Sequence, residues 1–523
     1  MKKHLLLLFT ALLPLVASAQ TTVEIDGIWY NLTAETSEAE VTFNRDAKYT
    51  GQITIPATIT YEDVTYSVTS IGDWAFFECT DLTSIILPES VKSIGDWAFQ
   101  SCGSLNAISL PESVTSIGDY AFYGCSNLTS VSLLERVTSI GDWAFYGCSN
   151  LTSITIPKSV TTIGEHAFRA CNSLTAITIP EGVTTIGEGT FYQCGSLTAI
   201  TIPESVTNIG NYALSGCTDL TSITLPESVT TIGYAAFDGC SNLITINIPE
   251  GVTSIENSVF NYCSSLTSIT IPESVTSIEG HAFSGCSSLT SITIPEGVTS
   301  IREYVFYYCS SLTSITIPES VTSIGEDAFQ GCRSLTSITI PESVTSIGDN
   351  AFRNCRSLIA ITLPEGITSI GNGVFKDCRS LTAITLPEEV TSIGESAFES
   401  CISLTGITIP GRVTSLGGNA LSACTSLTYI ACLAGTPPEI NYNAFDLVDT
   451  SIPLYVPAGS VEAYKKSTYW DMFNNTIGIE AGIENPECAT QNSAIIYDLT
   501  GRRVENPTKG GIYIVNGKKV VIK

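Results

Sequence analysis

Residues Leu312–Ser334 read LTSITIPESVTSIGEDAFQGCRS, and this stretch decides the fold because most of the chain repeats it with small changes. Ile315 and the isoleucine two positions later alternate with a threonine, which predicts a short strand that Pro318 ends. The segment around Ile324 predicts a second strand ladder, and the Ala-Phe pair before Cys332 predicts a helical turn. A unit of this size cannot bury its own apolar face, so neighbouring units must stack.

Cysteine gives the register of the repeat. The chain contains 18 cysteines, and 16 of them recur at every 23rd position without an insertion. In such a stack each residue meets its counterpart in the next coil, at the ~4.8 Å spacing of paired strands. We therefore predict a right-handed repeat solenoid of about 16 coils with parallel β ladders. The cysteine ladder consists of Cys79, Cys102, Cys125, Cys148, Cys171, Cys194, Cys217, Cys240, Cys263, Cys286, Cys309, Cys332, Cys355, Cys378, Cys401 and Cys424.

The period fails near both ends of the chain, which predicts a cap on each side of the array. Before the array, Lys2 and Lys3 precede an apolar run and an Ala-Ser-Ala sequence that ends at Ala19, the pattern of a cleaved secretory signal. That run is too short to predict a membrane span. The predicted segments are a signal peptide (1–19), an N-terminal cap (20–67), the solenoid (68–431), a C-terminal cap (432–483) and a sorting tail (484–523).

The composition limits the possible partners. Hydrophobic residues make up 43% of the chain, enough for a buried core, and the formal net charge is −28. A chain this acidic repels nucleic acid and anionic lipid, so we expect neither a nucleic-acid partner nor membrane insertion.

The repeat unit is similar to the BspA-like leucine-rich repeat, and the resemblance covers about residues 50–475. It implies a leucine-rich-repeat solenoid from a surface protein that adheres to host matrix proteins or to other cells. The tail, IYDLTGRRVENPTKGGIYIVNGKKVVIK (496–523), resembles the C-terminal sorting tail of type IX secretion substrates. That second resemblance implies export, and Asn516-Gly517 predicts a hairpin turn within the tail.

The sequence offers no constellation for catalysis. Beyond the signal region there are two histidines, His166 and His281, which lie five repeats apart, and no familiar nucleophile, phosphate-loop or metal motif is present. We therefore predict a binding protein that is not an enzyme and needs no cofactor. The cysteine ladder is open to three interpretations, a disulfide framework, a metal array or a buried reduced spine, of which the spine is favoured. Cys432 and Cys488 lie off this ladder and have no assigned role.

Two runs of exposed positions depart from the repeat consensus. One position reads Trp74, Trp97, Tyr120 and Trp143 in successive coils, followed by His166. We call Trp74, Trp97, Tyr120 and Trp143 the aromatic strip. Its rings either stack on sugars or anchor a protein partner, or they pack against each other to stiffen the first coils.

The second run is basic. The position after the ladder cysteine is arginine in three successive coils, and two further bases precede ladder cysteines nearby. These bases either pair with neighbouring acids or bind an anionic ligand. The basic patch consists of Arg333, Arg353, Arg356, Lys376 and Arg379.

Two other regular columns have simpler interpretations. The glutamates that follow the strand-ending prolines, from Glu89 to Glu388, predict a solvated stripe, with weak Ca²⁺ binding as the alternative. Ser314 and Thr316 begin a polar array typical of exposed strands, and ice binding is its alternative. The sequence as a whole predicts a secreted or cell-surface adhesin that binds an extracellular protein or glycan; a self-associating surface scaffold is the alternative. It gives neither the ligand nor the oligomeric state.

Overall fold

The structure is a computed structural model that describes residues 20–44, 47–441 and 443–480, with the backbone of four short strands between residues 496 and 521. The chain divides into two compact units, Met1–Gly251 and Val252–Lys523. Each unit is a stack of coils joined by parallel strand pairing, as the repeat predicts.

The first unit begins with a small cap. Thr21–Ile25, Ile28–Thr33 and Glu38–Val41 form an antiparallel meander, and Thr58–Tyr61 pairs antiparallel with Val64–Ile71. The strand Val64–Ile71 also pairs in parallel with Glu38–Val41 and with Ser93–Ile94. The cap therefore merges into the repeat ladder through one continuous strand, which crosses the predicted boundary at residue 67.

Two columns of parallel strands run through the coils of the first unit, each divided into two or more short sheets, so the second ladder predicted from V-T-S-I is confirmed. One ladder contains Gly51–Thr54, Leu82–Ile86, Ala107–Ser109, Ser130–Ser132, Ser153–Thr155, Ala176–Thr178, Ala199–Thr201, Ser222–Ile223 and Thr245–Ile246. The other contains Ser93–Ile94, Ser116–Ile117, Ser139–Ile140, Thr162–Ile163, Thr185–Ile186, Asn208–Ile209 and Thr231–Ile232.

The second unit repeats this arrangement and ends in the C-terminal cap. One ladder contains Ser291–Thr293, Ser314–Thr316, Ser337–Thr339, Ala360–Thr362, Ala383–Thr385, Gly406–Ile409, Tyr429–Cys432, Pro453–Pro457 and Asn475–Ile479. The other contains Ser254–Ile255, Ser277–Ile278, Ser300–Ile301, Ser323–Ile324, Ser346–Ile347, Ser369–Ile370, Ser392–Ile393, Ser415–Leu416 and Glu439–Ile440.

The C-terminal cap closes the apolar core. A 3-10 turn, Ala458–Ser460, leads into the short helix Val461–Lys466, whose Tyr464 is fully buried. The hydroxyl of Tyr464 donates to the carbonyl of Ala434 at 2.9 Å and lies 3.2 Å from the sulfur of Cys432. Cys432, unassigned from sequence, is thus a buried part of this cap. Cys488 lies outside the described residues.

Within the tail, the structure describes an antiparallel sheet of Ile496–Tyr497, Arg503–Val504, Ile512–Val515 and Lys518–Val521. Val515 pairs with Lys518, so the strands on either side of Asn516-Gly517 have the register of a two-residue hairpin. Asn516 and Gly517, like most of the quoted sorting motif, lie outside the described residues.

The core consists of ladders of identical side chains. Phe122 stacks on Phe99 and on Phe145 with ring centroids 5.2 Å apart in both pairs, and all three rings are fully buried. The strand isoleucines point inward in the same way, while Ser314 and Thr316 on either side of Ile315 point to solvent. Burial of a large side chain in every coil supplies the hydrophobic stabilisation that one unit alone lacks.

The predicted helical turn before the cysteine is wrong. In the coil quoted above, Asp327 and Gly331 have left-handed φ angles of 54° and 78°, which a helix cannot accommodate. The N–H groups of Asp327, Phe329 and Gly331 donate to carbonyls of the next coil at 2.8–2.9 Å. The segment is thus a chain of turns that forms a third set of hydrogen bonds between coils.

Candidate binding surface

The aromatic strip lies in the first unit as a continuous stack of rings. Trp74 stacks on Trp97 with centroids 4.6 Å apart, Trp97 on Tyr120 at 5.0 Å, and Tyr120 on Trp143 at 5.9 Å, with planes within 13° of parallel. Trp74 is 40% exposed, and the other three rings are half-buried. The rings therefore cover one another's faces and present mainly their edges to solvent.

The backbone explains why these side chains align. All four strip residues have left-handed φ angles, between 52° and 61°, and the same repeat position is left-handed at Gly189, Ala235 and Ser258. Non-glycine residues other than asparagine and aspartate adopt this conformation at a cost. Because small residues serve at this position in other coils, the solenoid itself does not require the rings.

A column of acids runs beside the strip. The Oδ1 atoms of Asp73, Asp96 and Asp119 each accept a hydrogen bond of 2.8 Å from the backbone N–H of the next aspartate in the column. A Cβ at Gly95 would lie only 2.6 Å from Oδ1 of Asp73, so glycine is needed where the coils approach. Burial raises the pKa of Asp96, with smaller contributions from the charges of Asp73 and Asp119.

A second aromatic row, which the sequence analysis missed, lies three residues after the strip position. Tyr123 stacks on Tyr146 with centroids 4.5 Å apart. The guanidinium carbon of Arg169 lies 4.4 Å from the ring centroid of Tyr192 and 5.7 Å from that of Tyr146. The signal was present in the sequence, since these residues follow the strip at constant spacing in successive coils.

His166 ends the aromatic stack. Its ring lies 4.1 Å from that of Trp143, and a Cβ at Gly189 would lie 2.2 Å from its Nδ1 atom, so the ring occupies the space above that glycine. Burial, followed by the charge of Arg169, lowers the pKa of His166, and nearby Glu188 only partly opposes this effect.

The basic patch lies in the second unit, and the structure divides its members. Lys376 forms a 2.7 Å ion pair with Glu399, and Arg379 forms a 2.9 Å ion pair with Asp377. Arg353 is half-buried, and its charge favours the ionised form of nearby Asp327. Lys376 and Arg379 are therefore paired with acids, and Arg353 lies near one.

Arg333 and Arg356 differ from the other members of the patch. Both are exposed, and within the described part of the chain neither forms an ion pair with a carboxylate. Arg356 donates from Nε to the Oδ1 atom of Asn354 at 2.7 Å. The guanidinium carbon of Arg333 lies 5.8 Å from the ring centroid of Tyr308. The uncompensated charge of the patch is concentrated on these two arginines.

The cysteine ladder is a buried reduced spine in the described residues. All 16 ladder cysteines are buried, and none of them forms a disulfide. The Sγ atoms of Cys125 and Cys286 donate to the backbone carbonyls of Phe99 and Phe260 in the preceding coil, at 3.1 Å in both cases, and the same bond recurs along most of the ladder. In residues 20–44, 47–441 and 443–480, no group of three or more His, Cys, Asp or Glu side chains is placed to hold a metal ion. No helix of the described chain has the length and apolarity needed to cross a membrane.

Short parallel strands in stacked coils, with identical core side chains and variable exposed ones, define the class of leucine-rich-repeat solenoids. The model of the BspA type leucine rich repeat region matches residues 56–174, 138–267, 253–382 and 345–467. These matches together cover more than half of the chain, so the protein belongs to the BspA-type leucine-rich-repeat family. Solenoids of this kind are typically scaffolds for binding.

Three solved structures illustrate the family likeness. A leucine-rich repeat protein from Bacteroides ovatus is 30% identical, with 88% of this chain and 100% of that chain covered and a TM-score of 0.48. A leucine rich cell surface protein from Faecalibacterium prausnitzii is 32% identical, with 79% and 94% covered and a TM-score of 0.40. The leucine-rich repeat protein of T. pallidum is 29% identical, with 38% and 91% covered and a TM-score of 0.35. No curated protein matches the chain significantly.

Proposed function

We propose that this protein is an exported, adhesin-type binding protein that recognises an extracellular protein or glycan through exposed side chains of its repeat surface. The observation that carries the proposal is the local replacement of small residues by large ones. Tryptophan and tyrosine occupy left-handed positions that hold Gly189, Ala235 and Ser258 in other coils. Because other coils stack without large side chains at this position, the tryptophans and tyrosines are not needed for the fold. We attribute their presence to contact with a binding partner.

The residue types support binding more than general stiffening. Tryptophan, tyrosine and arginine dominate the binding energy of protein interfaces. The aromatic strip offers ring edges and one exposed terminal ring, Trp74, and the basic patch offers the unpaired charges of Arg333 and Arg356. An otherwise acidic chain disfavours non-specific binding of anions elsewhere on its surface.

Export is part of the proposal. The first 19 residues carry the pattern of a secretory signal, and residues 496–523 resemble a type IX sorting tail. Together with membership of a family of surface proteins, these segments support a location outside the cell, either secreted or at the cell surface.

The test is a screen of the full chain against arrays of glycans and extracellular matrix proteins. Two variants accompany it, Trp97→Phe/Trp143→Phe in the strip and Arg333→Ser/Arg356→Ser in the patch. The proposal is supported if the parent chain captures a ligand and at least one of the two double variants loses that capture while its melting temperature is unchanged. Absence of capture, together with a solution size that grows with protein concentration, contradicts it and favours a self-associating scaffold.

A further inference from the structure

Two exposed tyrosines in the second unit stand out from the repeat. Tyr262 is 60% exposed and Tyr308 is 38% exposed, and both have a left-handed φ of 54°. They occupy the position immediately before the ladder cysteine, where other coils of this unit have Gly285, Gly331 and Asn354. A bulky residue in this conformation costs free energy that glycine or asparagine would avoid.

Each of these tyrosines lies across a glycine of the following coil. A Cβ at Gly285 would lie 2.7 Å from Cδ1 of Tyr262, and one at Gly331 would lie 3.1 Å from Cδ1 of Tyr308. The glycines therefore provide the space in which the rings rest against the backbone. The result is an alternation of tyrosine and glycine along the column, which separates the two rings by two coils, or roughly 10 Å.

Three arginines of the patch contact residues of the same column, which is the position immediately before the ladder cysteine. Asn354 and Asp377 precede their cysteines and hold Arg356 and Arg379, which follow those cysteines in the same coils. In the coil of Arg333 the corresponding position is Gly331, which has no side chain to offer. The guanidinium of Arg333 instead lies near Tyr308 of the preceding coil, so ring and cation form one surface.

We propose that Tyr262, Tyr308, Arg333 and Arg356 form a binding site for an acidic polysaccharide that lies along the coil axis. The inference rests on the proposed binding function and specifies its ligand class. The exposed tyrosine rings provide flat apolar surfaces for the C–H faces of sugar rings. The guanidinium groups of Arg333 and Arg356 match carboxylate or sulfate groups with paired N–H donors.

The spacing of the two rings favours an extended ligand over a compact one. Tyr262 and Tyr308 lie two coils apart, roughly 10 Å, a distance comparable with the repeat of an extended disaccharide. The two arginines occupy adjacent coils immediately beyond Tyr308. An acidic polysaccharide that runs along the coil axis can therefore contact the two tyrosine rings with one part of its length and the two arginines with the next part. Charge complementarity is local, because the chain as a whole carries a formal net charge of −28.

The experiment measures binding of the full chain to heparin, polygalacturonate, neutral dextran and polyglutamate at low and high salt. The test variants are Tyr262→Asn/Tyr308→Asn and Arg333→Ser/Arg356→Ser. Asparagine occupies the same left-handed position at Asn354, and serine occupies the position of the arginines at Ser310, so both replacements suit the backbone. Two matched controls are Arg412→Ser, which removes an exposed arginine outside the patch that is already paired with Glu389, and Tyr469→Asn, which removes an exposed left-handed tyrosine elsewhere.

We expect heparin or polygalacturonate to bind and dextran not to bind. The tyrosine variant should bind the acidic polysaccharide at least about tenfold more weakly. The arginine variant should lose most of the salt dependence, and both controls should bind like the parent.

Two results would overturn the site. One is binding of polyglutamate as tight as that of the polysaccharides and independent of the tyrosines, which would indicate an acidic protein segment as ligand. The other is absence of acidic polysaccharide binding while the array screen captures a different ligand, which would leave the proposed binding function intact. Absence of capture in every assay would contradict both proposals.

Discussion

The thiol of Cys125 donates a hydrogen bond of 3.1 Å to the backbone carbonyl of Phe99 in the preceding coil. A thiol can donate only while it is protonated, and burial raises the pKa of Cys125 to about 12. The same bond recurs along the ladder, for example from Cys309 to the carbonyl of Phe283. Where this bond forms, protonated sulfur joins neighbouring coils, and burial disfavours the thiolate that oxidation or metal binding requires.

The first prediction concerns thiol reactivity. Cysteines such as Cys125 should resist alkylation in the folded chain, because they are inaccessible and protonated. The chain is labelled with a timed pulse of iodoacetamide at increasing denaturant concentrations, and mass spectrometry identifies the labelled cysteines. The parent chain for this assay carries Cys488→Ser, because Cys488 lies outside the described residues. Rapid native labelling of the ladder would contradict the buried spine.

The second prediction concerns the phenylalanine ladder. Phe122→Ala should lower local stability by about 3–5 kcal/mol, because it leaves a cavity between two stacked rings. Phe122→Leu is the matched control, since leucine fills the same repeat position at Leu214 and Leu421. Hydrogen exchange would locate the loss, and we expect it in the adjacent coils because repeats contact only their neighbours. Equal losses for both variants would argue against the cavity explanation.

The third prediction concerns pH. The pKa of His166 is lower in the folded chain than its ordinary value of 6.5, so the unfolded chain binds the proton more readily. Stability of the surrounding coils should therefore fall as the pH drops below 6.5 and continue to fall towards the folded-state pKa. Glu165, Glu188 and Asp142 oppose this shift, whereas Arg169 reinforces it.

His166→Tyr tests this effect, because tyrosine occupies the same repeat position at Tyr120 and does not titrate in this range. Melting of both chains at pH 7.5 and 5.5 would show a smaller loss in the variant. An identical loss would assign the pH dependence to the carboxylates.

The fourth prediction separates binding from stiffening in the aromatic strip. Trp97→Ser/Trp143→Ser should lower both stability and ligand capture, since it interrupts the stack, with each lost ring pair worth about 0.5–1.5 kcal/mol beyond buried area. Trp97→Phe/Trp143→Phe keeps ring stacking and removes the indole edges. We expect this control to retain its melting temperature and lose capture. Full capture by the phenylalanine variant would indicate that the strip only stiffens the coils.

The fifth prediction concerns export. Deletion of residues 490–523 should leave a folded array in the periplasm, because we propose that the tail serves delivery. Cell fractionation and protease accessibility on whole cells would locate the truncated chain, and its melting would confirm folding. Surface display at the level of the full chain would show that the tail has another role.

Much of the structure follows from the sequence because the repeat has no insertions. Once Cys102 and Cys125 define the register, every residue must meet its counterpart one coil away, and the alternation around Ile315 determines which side chains point inward. Both parallel ladders and the buried phenylalanines follow from that rule. The helical turn before the cysteine was predicted wrongly, because a left-handed residue such as Asp327 has no unique sequence signature.

The pairing of the surface side chains could be determined only from the tertiary structure. Sequence spacing placed five bases together, but the direction of each side chain decided that Lys376 pairs with Glu399 and Arg379 with Asp377, while Arg333 and Arg356 remain without an acidic partner among the described residues. The sequence by itself determined the repeat, the core and the positions of the exposed aromatics and bases. Only the tertiary structure decided which of these side chains are already occupied by neighbours, because long side chains choose partners by backbone direction and reach, which a linear period does not specify.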